Sequence, residues 1–425
     1  MPSKKAPILF ATAFVIFFGF LTTATPLFAA GKERVLYSFG SETNDGVDPK
    51  ASLIFDGAGN LYGTTSEGGD SGTGCGGYGC GTDFQLTRGA NGKWTETVLH
   101  SFRDDGKDGH GPSDSLFFDA AGNLYGTTTW GGANGYGTVF QLTPSANGKW
   151  TESVLHSFNG KDGGYPRASL ILDAAGNLYG TTQYGGAYVA YGTVFQLAPS
   201  ANGKWTEKVL HSFDSNGKDG YGPDASLILD AAGNLYGTTP AGGAYGSNCN
   251  YGCGTVFELV RRANGKWTEK LLHSFSESGK DGYGPVPGLI FDPAGNLYGT
   301  TYGGGAYGPG SAFELRPGTN GKWKEKVLHS FDFGRGGCIP YGGLILDAAG
   351  NLYGTTVDCG SGLGTVFQLT PVAGGNWKGK VLHNFNGKDG GDPDASLILD
   401  GAGNLYGTSL GGGANGGGTV FEVTP

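Results

Sequence analysis

Three sets of reactive side chains recur along this chain in fixed phase. Aspartates stand at Asp56, Asp119, Asp173, Asp230, Asp292, Asp347 and Asp400, each opening an Asp-x-x-Gly-Asn stretch. A second series, Asp108, Asp162, Asp219, Asp281 and Asp389, sits in Gly-Lys-Asp-Gly loops, with Asp45 in a variant and Gly334-Arg335-Gly336-Gly337 in the sixth loop. His100, His156, His211, His273, His329 and His383 share one position, where the first copy has Tyr37. Carboxylates beside glycine and amides are calcium chemistry, imidazoles are zinc chemistry, and six cysteines in an exported chain are disulfide chemistry.

What must position these groups is a repeat. Gly-Asn-Leu-Tyr-Gly-Thr begins at Gly59, Gly122, Gly176, Gly233, Gly295, Gly350 and Gly403, at steps of 53 to 63 residues. A period of that length built only of short strand-like runs predicts a β-propeller with one repeat per blade. Residues 167–213 read as four strands: Leu170 to Leu172, an apolar run expected innermost and buried on both faces; Asn177 to Thr182, where Gly180 marks close backbone approach; Thr193 to Leu197; and Trp205 to Phe213, the outer strand, whose alternation puts Trp205, Val209, His211 and Phe213 on one side. The chain starts with a lone fourth strand, Val35 to Phe39, and ends with a third, Thr419 to Val423. These complete each other. The expected fold is all-β, a seven-bladed β-propeller of four antiparallel strands per blade, its last blade closed by the N-terminal strand so that no sheet edge stays open.

Within that frame most of the chemistry has a structural reading. An Asp that opens a tight turn caps its own backbone amides, and the Gly three residues on supplies positive φ. Corresponding outer-strand histidines of adjacent blades lie on the order of 15 Å apart, whereas zinc needs nitrogens at about 2 Å, so packing or hydrogen bonding between blades is expected and no metal. The Gly-Lys-Asp-Gly aspartates read as solvated turns, because Lys beside the acid opposes a cation and the calcium-loop spacing is absent. For the cysteines the topology selects Cys75 with Cys80, Cys249 with Cys253, and Cys338 with Cys359, the last between two loops of blade six.

Gly-Asn-Leu-Tyr-Gly-Thr, the Gly-Gly that follows, Gly-Thr-Val-Phe and Val-Leu-His-Ser-Phe together resemble the GloVer tandem repeat of extracytoplasmic bacterial proteins with variable C-terminal anchors, over essentially residues 33 to 425. Asp-x-x-Gly-Asn-Leu-Tyr is more loosely similar to NHL-type propeller repeats. The resemblance implies export and a propeller, and supplies no catalytic residue.

Composition agrees. Lys4 and Lys5, an apolar run from Pro7 to about Leu21 and small residues to Ala30 read as a secretory signal peptide, residues 1–30, ahead of one propeller domain, 31–425. Loss of the two lysines takes the formal charge from −9 to −11, which argues against nucleic acid as a partner. No later apolar run reaches spanning length, and a monomer without membrane span or C-terminal anchor is expected, extracellular or periplasmic. No Gly-x-Ser-x-Gly elbow, His-Glu-x-x-His pair, phosphate loop or CxxC is present, and no cofactor is expected.

The loops before strand one and between strands two and three share a face, and that face carries the length differences and the free aromatics, among them Trp130, Tyr184, Tyr221, Tyr245, Tyr283, Tyr302 and Tyr341. Function on a rigid scaffold sits on such loops. The expectation is a non-catalytic binding or structural module taking a glycan or an extracellular protein there, through stacking and neutral hydrogen bonds. The alternative is a propeller-type lyase or lactonase, whose mark would be one or two blades breaking the repeat with extra His, Asp or Glu near the axis, and none stands out in the repeat.

Overall fold

The computed structural model describes residues 32–41, 44–70, 74–214, 216–243, 249, 251–276, 281–334 and 336–425. The expected leader and Tyr245 lie outside them. Seven sheets follow one another around an axis, each with the order first, second, third, fourth strand outward, as in Ile171–Leu172, Leu178–Thr182, Thr193–Pro199 and Trp205–Ser212. The seventh joins Ile398–Leu399, Leu405–Ser409 and Thr419–Val423 to the N-terminal strand Glu33–Ser38, antiparallel with Val35 opposite Phe421 and an Arg34–Glu422 ion pair of 2.9 Å.

The core lies between blades. Each outer strand ends on a phenylalanine that meets the third-strand phenylalanine of the next blade edge to face: Phe158 on Phe195 at 5.0 Å, Phe213 on Phe257 at 5.2 Å, and, across the closure, Phe39 on Phe84 at 5.0 Å. All six rings are fully buried. Burying such a ring contributes about 2 kcal/mol and the edge-to-face geometry about 1 more, so each junction is an independent hydrophobic layer.

Three strand-level expectations need correction. The innermost strand is not buried on both faces: Leu170 is buried, but Leu172 is 38% exposed, because the ladder there is two residues long and runs out at the rim. The fully buried strand is the second. Gly180 does not admit neighbouring backbone; a Cβ there would meet Phe195 Cζ at 2.7 Å and Leu170 Cδ2 at 2.9 Å, so the glycine makes room for the cross-strand ring. Alternation in the outer strand is broken as well. Val194 pairs with His211 and Phe195 with Val209, leaving Leu210 as a bulge that puts His211 on the face of Val194 and Val209 on the opposite face with Phe195.

The Asp turns are structural. Asp173 accepts the amides of Ala175 and Asn177 (both 2.9 Å), the Asn177 side-chain amide (2.8 Å) and the Tyr179 hydroxyl (2.9 Å), with Gly176 at φ 82°. The same four bonds recur at the other six aspartates. Burial pushes Asp173 up, and these bonds outweigh it, holding the carboxyl below its usual range.

Candidate ligand site in the axial cavity

Residues immediately ahead of all seven innermost strands line one cavity of about 840 Å3. At the last position before the core leucine stand Ser52, Ser115, Ser169, Ser226, Gly288, Gly343 and Ser396; two residues earlier stand Lys50, Ser113, Arg167, Asp224, Val286, Tyr341 and Asp394. The first ring is uniform and small, so it leaves a channel. The second differs in chemistry at nearly every blade.

Asp114, at a position where four other blades have alanine, links neighbouring blades along the cavity wall. Its carboxylate accepts the amides of Ser115 (2.6 Å) and Ser169 (2.5 Å) and the Ser226 hydroxyl (3.3 Å), tying blades two, three and four. Burial raises it, and those bonds offset the rise only in part. Asp224 is pushed up to about 6 by burial, with Arg167 opposing and Asp114 adding, and its Oδ1 is buried without a hydrogen-bond partner among the described residues. Asp394 is likewise pushed up to about 6 by burial, with Lys50 opposing and Asp224 and Asp114 adding. Two carboxyls thus titrate well above the usual carboxylate range inside a concave site. The expectation that no extra acids stand near the axis is corrected: Asp114, Asp224 and Asp394 do.

The loop face forms as expected, but its aromatics are not all loose. Short ladders such as Gly220–Tyr221 with Ala241–Gly242 and Gly282–Tyr283 with Gly303–Gly304 fix the loops. Trp130 (43% exposed) and Tyr341 (38%) line the cavity mouth with Tyr78 and His110. Tyr184 is exposed but packs on Tyr165, itself 4.6 Å from Trp130, so it extends that platform away from the cavity. Tyr221 packs on Tyr191, and Tyr283 on Tyr302, away from the cavity lining. Cys75–Cys80 and Cys249–Cys253 close within their own loops, and Cys338–Cys359 joins the two loops of blade six.

The Gly-Lys-Asp-Gly acids are not solvated turns. Asp108 and Asp219 are nearly buried and meet the preceding histidine, with Oδ2 3.0 Å from His100 Nε2 and from His211 Nε2; the His156–Asp162, His273–Asp281 and His383–Asp389 pairs lie at 3.3 Å. From the next blade's outer strand a glutamate completes each group: Glu152, Glu207, Glu269 and Glu325, with Glu33 at the closure, each carrying a buried Oε1 without a hydrogen-bond partner among the described residues. Glu152 is pushed up to about 7 by burial, with Asp108 adding and His100 opposing.

The profile of the Gloeobacter/Verrucomicrobia repeat matches residues 74–285 and 245–425. The chain belongs to this repeat family. No curated protein matches it. Among solved structures it is similar to PorZ, an essential surface component of the type-IX secretion system of Porphyromonas gingivalis, at 13% identity and a TM-score of 0.49. That match covers 88% of this chain and 46% of the other, so the chain spans less than half of PorZ. Among the described residues no helix is long and apolar enough to cross a membrane.

In this Gloeobacter/Verrucomicrobia repeat chain the sequence reading reached Trp130 and Tyr341 of the cavity, while its charged residues escaped it for a physical reason. They precede the first strand by one to three residues, in a stretch whose length varies, and only the closed ring brings seven such stretches together. One signal was available: Asp114 and Asp224 depart from their ring neighbours at fixed distances from the core leucine.

Proposed function

We propose that this chain is an exported binding module that takes a glycan into the axial cavity from the variable-loop face. The observation that carries the reading is the second cavity ring: the strands of the repeat barely change from blade to blade, while Lys50, Arg167, Asp224, Tyr341 and Asp394 change the chemistry of the cavity wall at nearly every blade. A purely structural ring would repeat its best residue. Trp130 and Tyr341 offer faces on which the C–H face of a sugar ring can stack, and the buried acids, Arg167 and Lys50 offer donors and acceptors for hydroxyls. The charged lining departs from the wholly neutral surface expected of the loops. Three disulfides support an oxidising compartment and hence export of the chain from the cytosol.

A glycan array on the mature protein, followed by calorimetry of the strongest hit, tests this. Trp130→Ala is expected to weaken binding by ten-fold or more, as for an aromatic anchor. An array without hits, or a hit whose affinity Trp130→Ala leaves unchanged, would reject it. The second reading, a lyase or lactonase, rests on Asp224 and Asp394, since carboxyls titrating near 6 suit general acid or base work. Conversion of the bound glycan, lost in Asp224→Asn with binding retained, would favour it.

A further inference from the structure

The junction between blades one and two differs from every other. His100 Nε2, Asp108 Oδ and Glu152 Oε lie within 4.8 Å of one another, as Glu33, His383 and Asp389 do at the closure, and here they line a cavity of about 570 Å3. Directly across the ladder from His100 stands Asp83. In the other six blades that position holds Val139, Val194, Val256, Ala312, Val366 or Val420, all fully buried core residues. Asp83 is also fully buried, yet both of its carboxylate oxygens and Glu152 Oε1 have no hydrogen-bond partner among the described residues. A core valine replaced by an acid with both oxygens unmatched carries a heavy desolvation cost as a carboxylate, which either a proton or a positive charge must relieve.

The nearest positive groups do not meet that need. Arg103 points its guanidinium to Asp70 at 3.5 Å, in a pair half exposed to solvent, and Lys107 stands on the cavity rim. His100 carries one charge at most against Asp83, Asp108 and Glu152. We propose that this junction is a binding site for a divalent transition-metal ion, held by His100, Asp108 and Glu152, with Asp83 supplying the further negative charge that the other junctions lack.

The donor set fits the class. One imidazole nitrogen with two carboxylates suits Zn2+ or Mn2+, whereas Ca2+ and Mg2+ prefer oxygen alone. Donors about 2.0–2.2 Å from a zinc ion sit roughly 3.3–3.6 Å from one another in a tetrahedral arrangement, so the 3.0 Å His100–Asp108 contact need only open slightly while the other donors close from at most 4.8 Å. Asp83 faces the same side of the sheet as His100, where a carboxylate can orient a ligating imidazole. The junction between blades five and six serves as an internal blank. There His329 faces neither acid, since the loop lacks the aspartate and Gly379 stands where the glutamate would be.

The test uses the mature chain, stripped with a chelator and titrated with Zn2+ by calorimetry, with thermal melts in parallel. The parent is expected to bind one tight equivalent and to melt several degrees higher with it. Glu152→Gln should remove that equivalent, and Asp83→Val, which restores the residue of most other blades and preserves the fold, should weaken it ten-fold or more. His329→Ala and Glu207→Gln should leave it intact. Unchanged zinc binding in Glu152→Gln and Asp83→Val, loss in Glu207→Gln, or a chelator-insensitive melt with no zinc uptake would overturn the assignment and leave a cluster held by protons.

Discussion

Asp173 and Asp224 show how the same residue type serves opposite ends. The first accepts four hydrogen bonds within its own turn and is held ionised. The second is buried at the axis with one oxygen unmatched and is pushed up to about 6. Since the unfolded carboxyl titrates near 3.9, the folded state binds protons that the unfolded chain has released between about pH 4 and 6. Stability from this group is therefore present at low pH and falls as pH rises through that window, by about 3 kcal/mol at most. Asp224→Asn should remove this term. Thermal melts from pH 4 to 8 are expected to show the variant more stable than the parent at pH 8 by about 1–2 kcal/mol, with the gap closing by pH 4. A gap that stayed constant across the range would contradict the assignment. The sequence showed the turn aspartate plainly, because its partners lie within six residues; the role of Asp224 depends on Arg167 and Asp114 from other blades.

At the scale of elements, the repeat made strand order, strand number and closure legible, because each strand carries its own apolar run and turn signal. What it hid was depth and phase. The two-residue inner strand, the ring of Phe195 over Gly180 and the bulge at Leu210 all depend on a neighbouring strand or blade. The N-terminal strand is the element whose placement carries most consequence. It supplies the outer edge of blade seven, the Arg34–Glu422 pair and Phe39, which packs on Phe84 of blade one. A chain starting at Gly40 loses all of these and bares Thr419–Val423 as a sheet edge. It should melt at a lower temperature and aggregate at concentrations the mature protein tolerates, checked by calorimetric melts and light scattering. Equal melting and scattering would refute the closure.

At the scale of the molecule, seven nearly identical blades form a rigid ring, and the places where the repeat fails are where chemistry gathers. Two such places stand apart: the axial wall, with Asp114, Asp224, Asp394, Arg167 and Lys50, and the first junction, with Asp83. Polar groups buried at a cost to stability are what a site requires and a scaffold does not. The most direct check of the axial cavity as the ligand site is hydrogen–deuterium exchange of the mature chain with and without the strongest glycan-array ligand. Protection is predicted in residues 110–115, 166–170, 223–227, 340–344 and 393–397, together with the loop bearing Trp130. Protection confined to the outer strands or to the Asp-x-x-Gly-Asn turns on the opposite face would contradict it.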